Sequence, residues 1–114
     1  MNVMISQPMR GLKDEEIAAT RERAAKVLEE RGYEVLDTFF TDEWHNSEQL
    51  HRYGVVHTTV YLLSQSLEAM SLCHAVYFCK GWEKARGCRI EHDIATQYGL
   101  EILEEEENDH SNRN

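Results

Sequence analysis

Glu91 is a carboxylate on a stripe of otherwise small or apolar residues. Gly87, Ile94, Ala95 and Tyr98 are spaced from it, or from one another, by three or four positions, the spacing that shares one face of a helix. An ionised carboxylate in such a place can act as a nucleophile, and a position near a helix N-terminus favours the ionised form. The same residue can also be read as a boundary glutamate that snorkels to solvent or pairs with an arginine. His92 and Asp93 offer it little help, because they are rotated roughly 100° and 200° around the helix.

Lys80, Lys84, Arg86 and Arg89 make the preceding segment basic in a chain whose formal net charge is −9. With Arg10 and the backbone amides around Gly87, they form either a cradle for an anionic small ligand such as a phosphate, or ordinary solubilising charge. Trp82 is either a platform on which a base stacks or a lid over the core. His45, His51 and His57 stand six apart, which puts no two on one helical face. Cys73, Cys79 and Cys88 are odd in number and lack CxxC spacing, so neither a disulfide framework nor a zinc site is expected. No metal and no cofactor is implied.

These residues need elements to position them. Val3-Met4-Ile5 reads as a short buried strand, followed by a turn through Gln7, Pro8, Met9, Arg10, Gly11 and Leu12. Residues 13–31 form an Ala- and Glu-rich helix with Ile17, Ala18, Ala24, Ala25 and Leu28 near helical spacing, acidic residues in its first turn and Gly32 as its cap. A second strand spans 34–38. Residues 39–57 read as a long polar loop, a candidate lid. A second long helix over 58–73 carries the stripe Val60, Leu63, Leu67 and Met70. The run Ala75-Val76-Tyr77-Phe78-Cys79 is continuous enough for a central parallel strand. A loop over 80–86, a helix over 87–98 capped by Gly99 and a last strand over 101–103 complete the series.

The order β-α-β-α-β-α-β predicts an α/β fold, a flavodoxin-like three-layer sandwich with a four- to five-stranded parallel sheet in the order 2-1-3-4. One domain of residues 1–103 is expected, with 104–114 as an acidic, disordered tail. In such a sheet ligands bind beyond the carboxyl ends of the strands where the strand order reverses, here between the loops that carry Arg10 and Gly81.

With those segments in view, the chain resembles the nucleoside 2-deoxyribosyltransferase-like superfamily, in particular its short bacterial and phage members. The carriers are residues 3–12 (Val-Met-Ile-Ser-Gln-Pro-Met-Arg-Gly-Leu), 73–78 (Cys-His-Ala-Val-Tyr-Phe) and 81–92 (Gly-Trp-Glu-Lys-Ala-Arg-Gly-Cys-Arg-Ile-Glu-His). The resemblance implies cleavage of the bond between base and sugar, with Glu91 as the nucleophile that attacks the anomeric carbon. It extends to deoxynucleoside monophosphate N-glycosidases, whose phosphate-holding Arg and glycine amides map onto Arg10 and Gly87. It also implies a substrate pocket drawn from Ser6, Gln7, Met9, Arg10, Gly11, Ser66, Gly81, Trp82, Arg86 and Gly87. The chain departs from many relatives at Met4, where they have Tyr, at Ser66 and His74, where they have Asp, and at Gln7, where they have Gly.

The expected function is thus an N-glycosidase or deoxyribosyltransferase acting on a nucleoside or nucleotide. The alternative is a catalytically silent module of the same fold that binds or senses a nucleotide, favoured by Met4 and Ser66 standing where polar partners would be. A nucleic-acid polymer is not an expected partner, given the negative charge. No run approaches the length of a membrane span and none resembles a secretory signal, so a soluble, cytoplasmic protein is expected. The resemblance further implies a homodimer or higher homo-oligomer with sites near the subunit interface.

Overall fold

The two apolar runs of the sequence become the middle of a sheet. In the computed structural model, which describes residues 1–36 and 47–106, strand β1 (Asn2–Ser6) lies between β2 (Glu34–Leu36) and β3 (Ala75–Phe78), and β4 (Glu101–Glu104) pairs with β3. All three pairings are parallel, in the order 2-1-3-4, with Val3 opposite Ala75 and Ser6 opposite Phe78. Every residue of β3 is buried, as a central strand covered on both faces requires. The edge strands carry Glu34, Glu101 and Glu104 instead, charges that discourage pairing with a further chain.

Alternation along β1 and β3 divides the core in two. Val3, Ile5, Ala75, Tyr77 and Cys79 face Ala24 and Leu28 of helix α1 (Asp14–Glu30). Met4, Val76 and Phe78 face Met70 of helix α3 (Thr58–Met70) and Ala95 of helix α4 (Arg86–Gln97). The result is the flavodoxin-like three-layer sandwich. Ser6 continues the Met4 side of β1, so its hydroxyl is delivered to the layer of α3 and α4.

Local chemistry explains the helix ends. Glu16 reaches back to accept from the Lys13 amide at 3.2 Å, satisfying one donor at the start of α1. At its end Gly32 takes a φ of +90°, and the amides of Gly32 and Tyr33 donate to Glu29 and Leu28. Gly99 closes α4 the same way, with Leu100 donating to Ala95. Both glycine caps fall where the sequence puts them.

Four expectations need correction. The segment expected as one long loop contains a short helix, α2 (Ser47–Arg52), whose Leu50 is buried; its residues 39–46, with Trp44 and His45, lie outside the described residues, as do 37–38 of the second strand. Helix α3 ends at Met70 rather than at Cys73, because the His74 amide must pair with Asn2 and the chain tightens through Leu72 and Cys73 to reach the sheet. Val60 is 61% exposed and leaves the core stripe of α3. The expected tail begins inside the fold: Glu104 completes β4, and the Glu105 amide donates to Phe78. Residues 107–114 lie outside the described residues.

Candidate functional site

Glu91 sits in the second turn of α4, where Cys88, Glu91 and Ala95 form the buried stripe. The expected stripe through Gly87 and Tyr98 is offset by one position: Gly87 is exposed and Tyr98 is 80% exposed, while Cys88 is buried. Glycine at 87 hides this offset in the sequence, since it fits a buried or an open position equally well.

The Ser6 hydroxyl donates to Glu91 Oε1 at 2.6 Å, and the two residues are only 3% and 8% exposed. The Ser66 hydroxyl, from α3, donates to the Leu62 carbonyl one turn back at 3.3 Å. Burial pushes the Glu91 carboxyl above the usual carboxylate range, and the donors Ser6 and Ser66 pull it partly back. The helix dipole expected to keep it ionised has little hold, because that field fades within the first turn and Glu91 lies in the second. Cys88, three residues before Glu91 on the buried face of α4, has its thiol raised by burial to about 11. Ser6 from β1 and Glu91 from α4 are thus brought into direct contact, with Ser66 of α3 and Cys88 near enough to bear on the protonation of the carboxyl and the thiol.

The two loops at the switch point meet beside this carboxylate. Gly81 has a φ of +89°, and a side chain there would lie 3.6 Å from Pro8. The first loop turns back through Met9, whose carbonyl accepts from Leu12, and Gly11 takes a φ of +81°. Met9, Arg10 and Gly11 are exposed, as are Lys84, Arg86 and Gly87. Neither Arg10 nor Arg86 enters an ion pair among the described residues, and a Cβ at Gly87 would meet open space. The amides of Arg86, Gly87 and Cys88 stand in the first turn of α4, where a helix supplies them no acceptor. Arg89 is committed elsewhere, donating to the Glu83 carbonyl at 3.0 Å.

Two candidate residues are occupied otherwise. The Gln7 side chain donates to the Ile17 carbonyl at 3.0 Å, pinning the first loop to α1. Trp82, in a 3₁₀ turn (Trp82–Lys84), stacks on His92 with ring centroids 4.1 Å apart and 10° between planes, leans on Phe78 and donates from Nε1 to Glu104 at 3.1 Å. Of its two possible roles, packing is the one realised. His92, rotated off the Glu91 face, thereby has its own function as a shelf for that ring. The backbone amide of Lys80 donates to Glu105 at 2.9 Å, so the acidic C-terminal residues fasten the loop after β3. Nothing in the composition of a Glu run foretells this.

The departures from the resembled family also receive positions. Met4 is a buried core residue two before Ser6 on the same side of β1. His74 is at the opposite end of the sheet from Glu91, where its Nδ1 accepts from the Asn2 amide at 3.0 Å. Among the described residues no group of three or more His, Cys, Asp or Glu is arranged to hold a metal ion.

A family model described as Domain of unknown function (DUF4406) matches residues 1–104. The chain belongs to the DUF4406 family. The match takes in the whole of this DUF4406 domain from β1 to β4, including both switch-point loops and the Ser6–Glu91 pair. No curated protein and no solved structure matches the chain. No helix of its described residues is long and apolar enough to cross a membrane.

Proposed function

We propose that this DUF4406 domain is a nucleoside 2-deoxyribosyltransferase-like enzyme, an N-glycosidase or deoxyribosyltransferase that cleaves the base–sugar bond of a nucleoside or nucleotide. The observation that carries the reading is the buried Glu91 carboxylate, held by the Ser6 hydroxyl at 2.6 Å beside the two loops of the switch point. Among the described residues Glu91 has no ion-pair partner, and a buried carboxyl of that kind is a cost to the fold that gathers where chemistry needs it.

In this reading Glu91 attacks the anomeric carbon of the sugar. The carbon–nitrogen bond breaks, its electron pair leaves with the base, and the base is protonated from solvent. A sugar ester of Glu91 results. Water, or the nitrogen of a second base, then attacks the same carbon, the ester bond breaks and the carboxylate is regenerated, with retained configuration. Arg10, Arg86 and the amides around Gly87 are the groups suited to a 5′-phosphate. Met9, Gly11 and Gly81 line the approach.

The partner in this proposal is a small nucleoside or nucleotide together with a second copy of the chain. Helix α3 has one charged residue, Glu68, in thirteen, and Met70 is its one fully buried position, with Tyr61, Leu62, Leu63 and Leu67 half-buried. A helix so apolar, and so incompletely covered, fits a subunit contact next to Ser66.

The test is chromatography of nucleosides and nucleoside monophosphates incubated with wild type and with Glu91→Ala. Release of free base by wild type and its loss in the variant support the reading. Tight binding of a nucleotide with no base released by either protein replaces it with the silent-module alternative, for which the apolar Met4 speaks.

A further inference from the structure

Glu105 is a second buried carboxylate, one that the proposed chemistry does not use. Its side chain is 5% exposed, its Oε1 accepts from the Lys80 amide at 2.9 Å and its Oε2 lies 4.0 Å from Arg23 of α1. The Glu105 amide donates to the Phe78 carbonyl, so the ladder between β3 and β4 runs one residue past β4 and fixes the backbone that carries this carboxylate. Alternation then sends neighbouring glutamates to opposite faces of the sheet. Leu103 packs in the α1 layer and Ile102 in the layer of α3 and α4, so Glu105 follows Leu103 and Glu104 follows Ile102. On that second face Glu104 accepts from Trp82 Nε1 at 3.1 Å. The segment after β3 is thus gripped at Lys80 from one face and at Trp82 from the other.

We infer that Glu104 and Glu105 are positioning residues: they clasp the 80–85 loop, and with it the start of α4, in the place the site requires. Inside the loop the Lys84 and Ala85 amides donate to the Gly81 and Trp82 carbonyls, which shapes the turn but does not tie it to the sheet. Gly81 faces Pro8 across the switch point, and α4 starts directly after Ala85. A shift at Lys80 or Trp82 therefore changes both the gap between the two loops and the place of the Arg86, Gly87 and Cys88 amides. Neither glutamate touches the ligand in this role. At 4.0 Å, with the Arg23 side chain 32% exposed, the ion pair is the weaker of the two Glu105 contacts, so the Lys80 hydrogen bond carries the hold. The effect on turnover rests on the glycosyl-transfer reading, whereas the clasp does not.

The experiment is amide hydrogen exchange followed by NMR on the full chain without ligand. In Glu105→Ala the amides of Lys80, Lys84 and Ala85 exchange about ten-fold faster than in wild type, the size of one lost hydrogen bond to a charged group, while those of Val76 and Tyr77 in β3 are unchanged. Glu105→Gln keeps an acceptor for Lys80 and restores slow exchange, a rescue that a need for the charge opposite Arg23 would not give. Glu104→Ala, at an exposed residue where the fold survives, speeds exchange of the Trp82 indole and of the same Lys84 and Ala85 amides. Loop amides as slow in these variants as in wild type overturn the inference, and so does an equal loss of protection in β3, which would mark a general loss of stability. If Glu105→Ala does not fold, Glu104→Ala decides. With the nucleoside monophosphate that wild type cleaves, Glu105→Ala raises KM several-fold and leaves kcat little changed, since Ser6 and Glu91 stand outside the loop; an unchanged KM removes the positioning role. Since exchange needs no substrate, a loosened loop in a protein that releases no base supports the clasp and counts against the glycosyl reading alone.

Discussion

Ser6 and Glu91, 85 residues apart in the chain, meet through a 2.6 Å hydrogen bond at the carboxyl end of β1. The bond ties the middle of the sheet to the second turn of α4, and it does so inside the protein. Its energetic meaning depends on which state of Glu91 is present. Burial favours the neutral acid, the Ser6 and Ser66 donors favour the anion, and burial is the larger effect.

Glu91→Gln is therefore expected to stabilise the fold while it abolishes cleavage. A carboxyl whose folded-state pKa lies above its unfolded value contributes stability that is complete below the unfolded pKa and is lost as pH rises through the folded one. At neutral pH wild type bears that loss. The isosteric amide does not, and it still accepts from Ser6. Thermal unfolding at pH 7 should show the variant more stable by on the order of 1 kcal/mol, with the gap closing at acid pH. A gap that stays constant with pH would show that Glu91 is not the group responsible. For turnover the same shift predicts activity that falls as pH drops through the raised pKa.

Arg10 tests the anion reading of the basic loops. It is exposed and outside any ion pair among the described residues, so Arg10→Ala should leave thermal stability within about 0.5 kcal/mol of wild type. Affinity for a nucleoside monophosphate should fall about ten-fold or more, and that for the matching nucleoside by much less. Equal losses, read by calorimetry, would remove Arg10 from the phosphate.

The fold was legible in the sequence because its signals are strong and local. Val3-Met4-Ile5 and Ala75 to Cys79 are short apolar runs bounded by turn residues, and Gly32 and Gly99 stand where helices must stop. The pairing order follows from the handedness of parallel crossovers. The sequence offers Ser6, Ser66 and Glu91 as members of a candidate site, but not the hydrogen bond between Ser6 and Glu91. A serine's partner depends on which side of the strand it occupies and on which helix lies over that side, and both are tertiary facts. Cys88 could have been found by stepping three back from Glu91, had Gly87 not filled the stripe just as well. Glu105 had no signal at all: its side chain is 5% exposed, near Arg23 at 4.0 Å, yet it sits in a run that reads as solvated charge.

Trp82 separates a stacking platform from a structural wedge. Its ring lies on His92 and Phe78, and its Nε1–H donates to Glu104, so truncation removes contacts from α4, β3 and β4 together. Trp82→Ala is expected to destabilise the protein by about 3 kcal/mol. Trp82→Phe keeps the ring and loses the Glu104 hydrogen bond, for a cost of about 1 kcal/mol. Chemical denaturation measures both. A Trp82→Ala protein as stable as wild type but unable to bind nucleosides would restore the platform role.

Assembly is the last expectation. Val60, 61% exposed and outside the core, joins Tyr53 and Val56, each 77% exposed, at the end of the protein where α2 turns into α3. Three exposed apolar side chains within eight residues, next to a helix with a single charge, contrast with a chain that is 29% charged overall. Two copies carrying −9 each repel, and α3, with one charge in thirteen residues, offers a face where that repulsion is low. Such a contact would also help exclude water from the proposed site near Ser66. Light scattering should therefore give a multiple of 13.3 kDa. Val60→Glu changes a mostly exposed side chain, so the fold should survive it while the assembly falls apart, because two glutamates would face each other across a two-fold axis. A wild-type mass of 13.3 kDa at working concentration refutes the assembly. An oligomer that persists unchanged in Val60→Glu moves the contact away from this face.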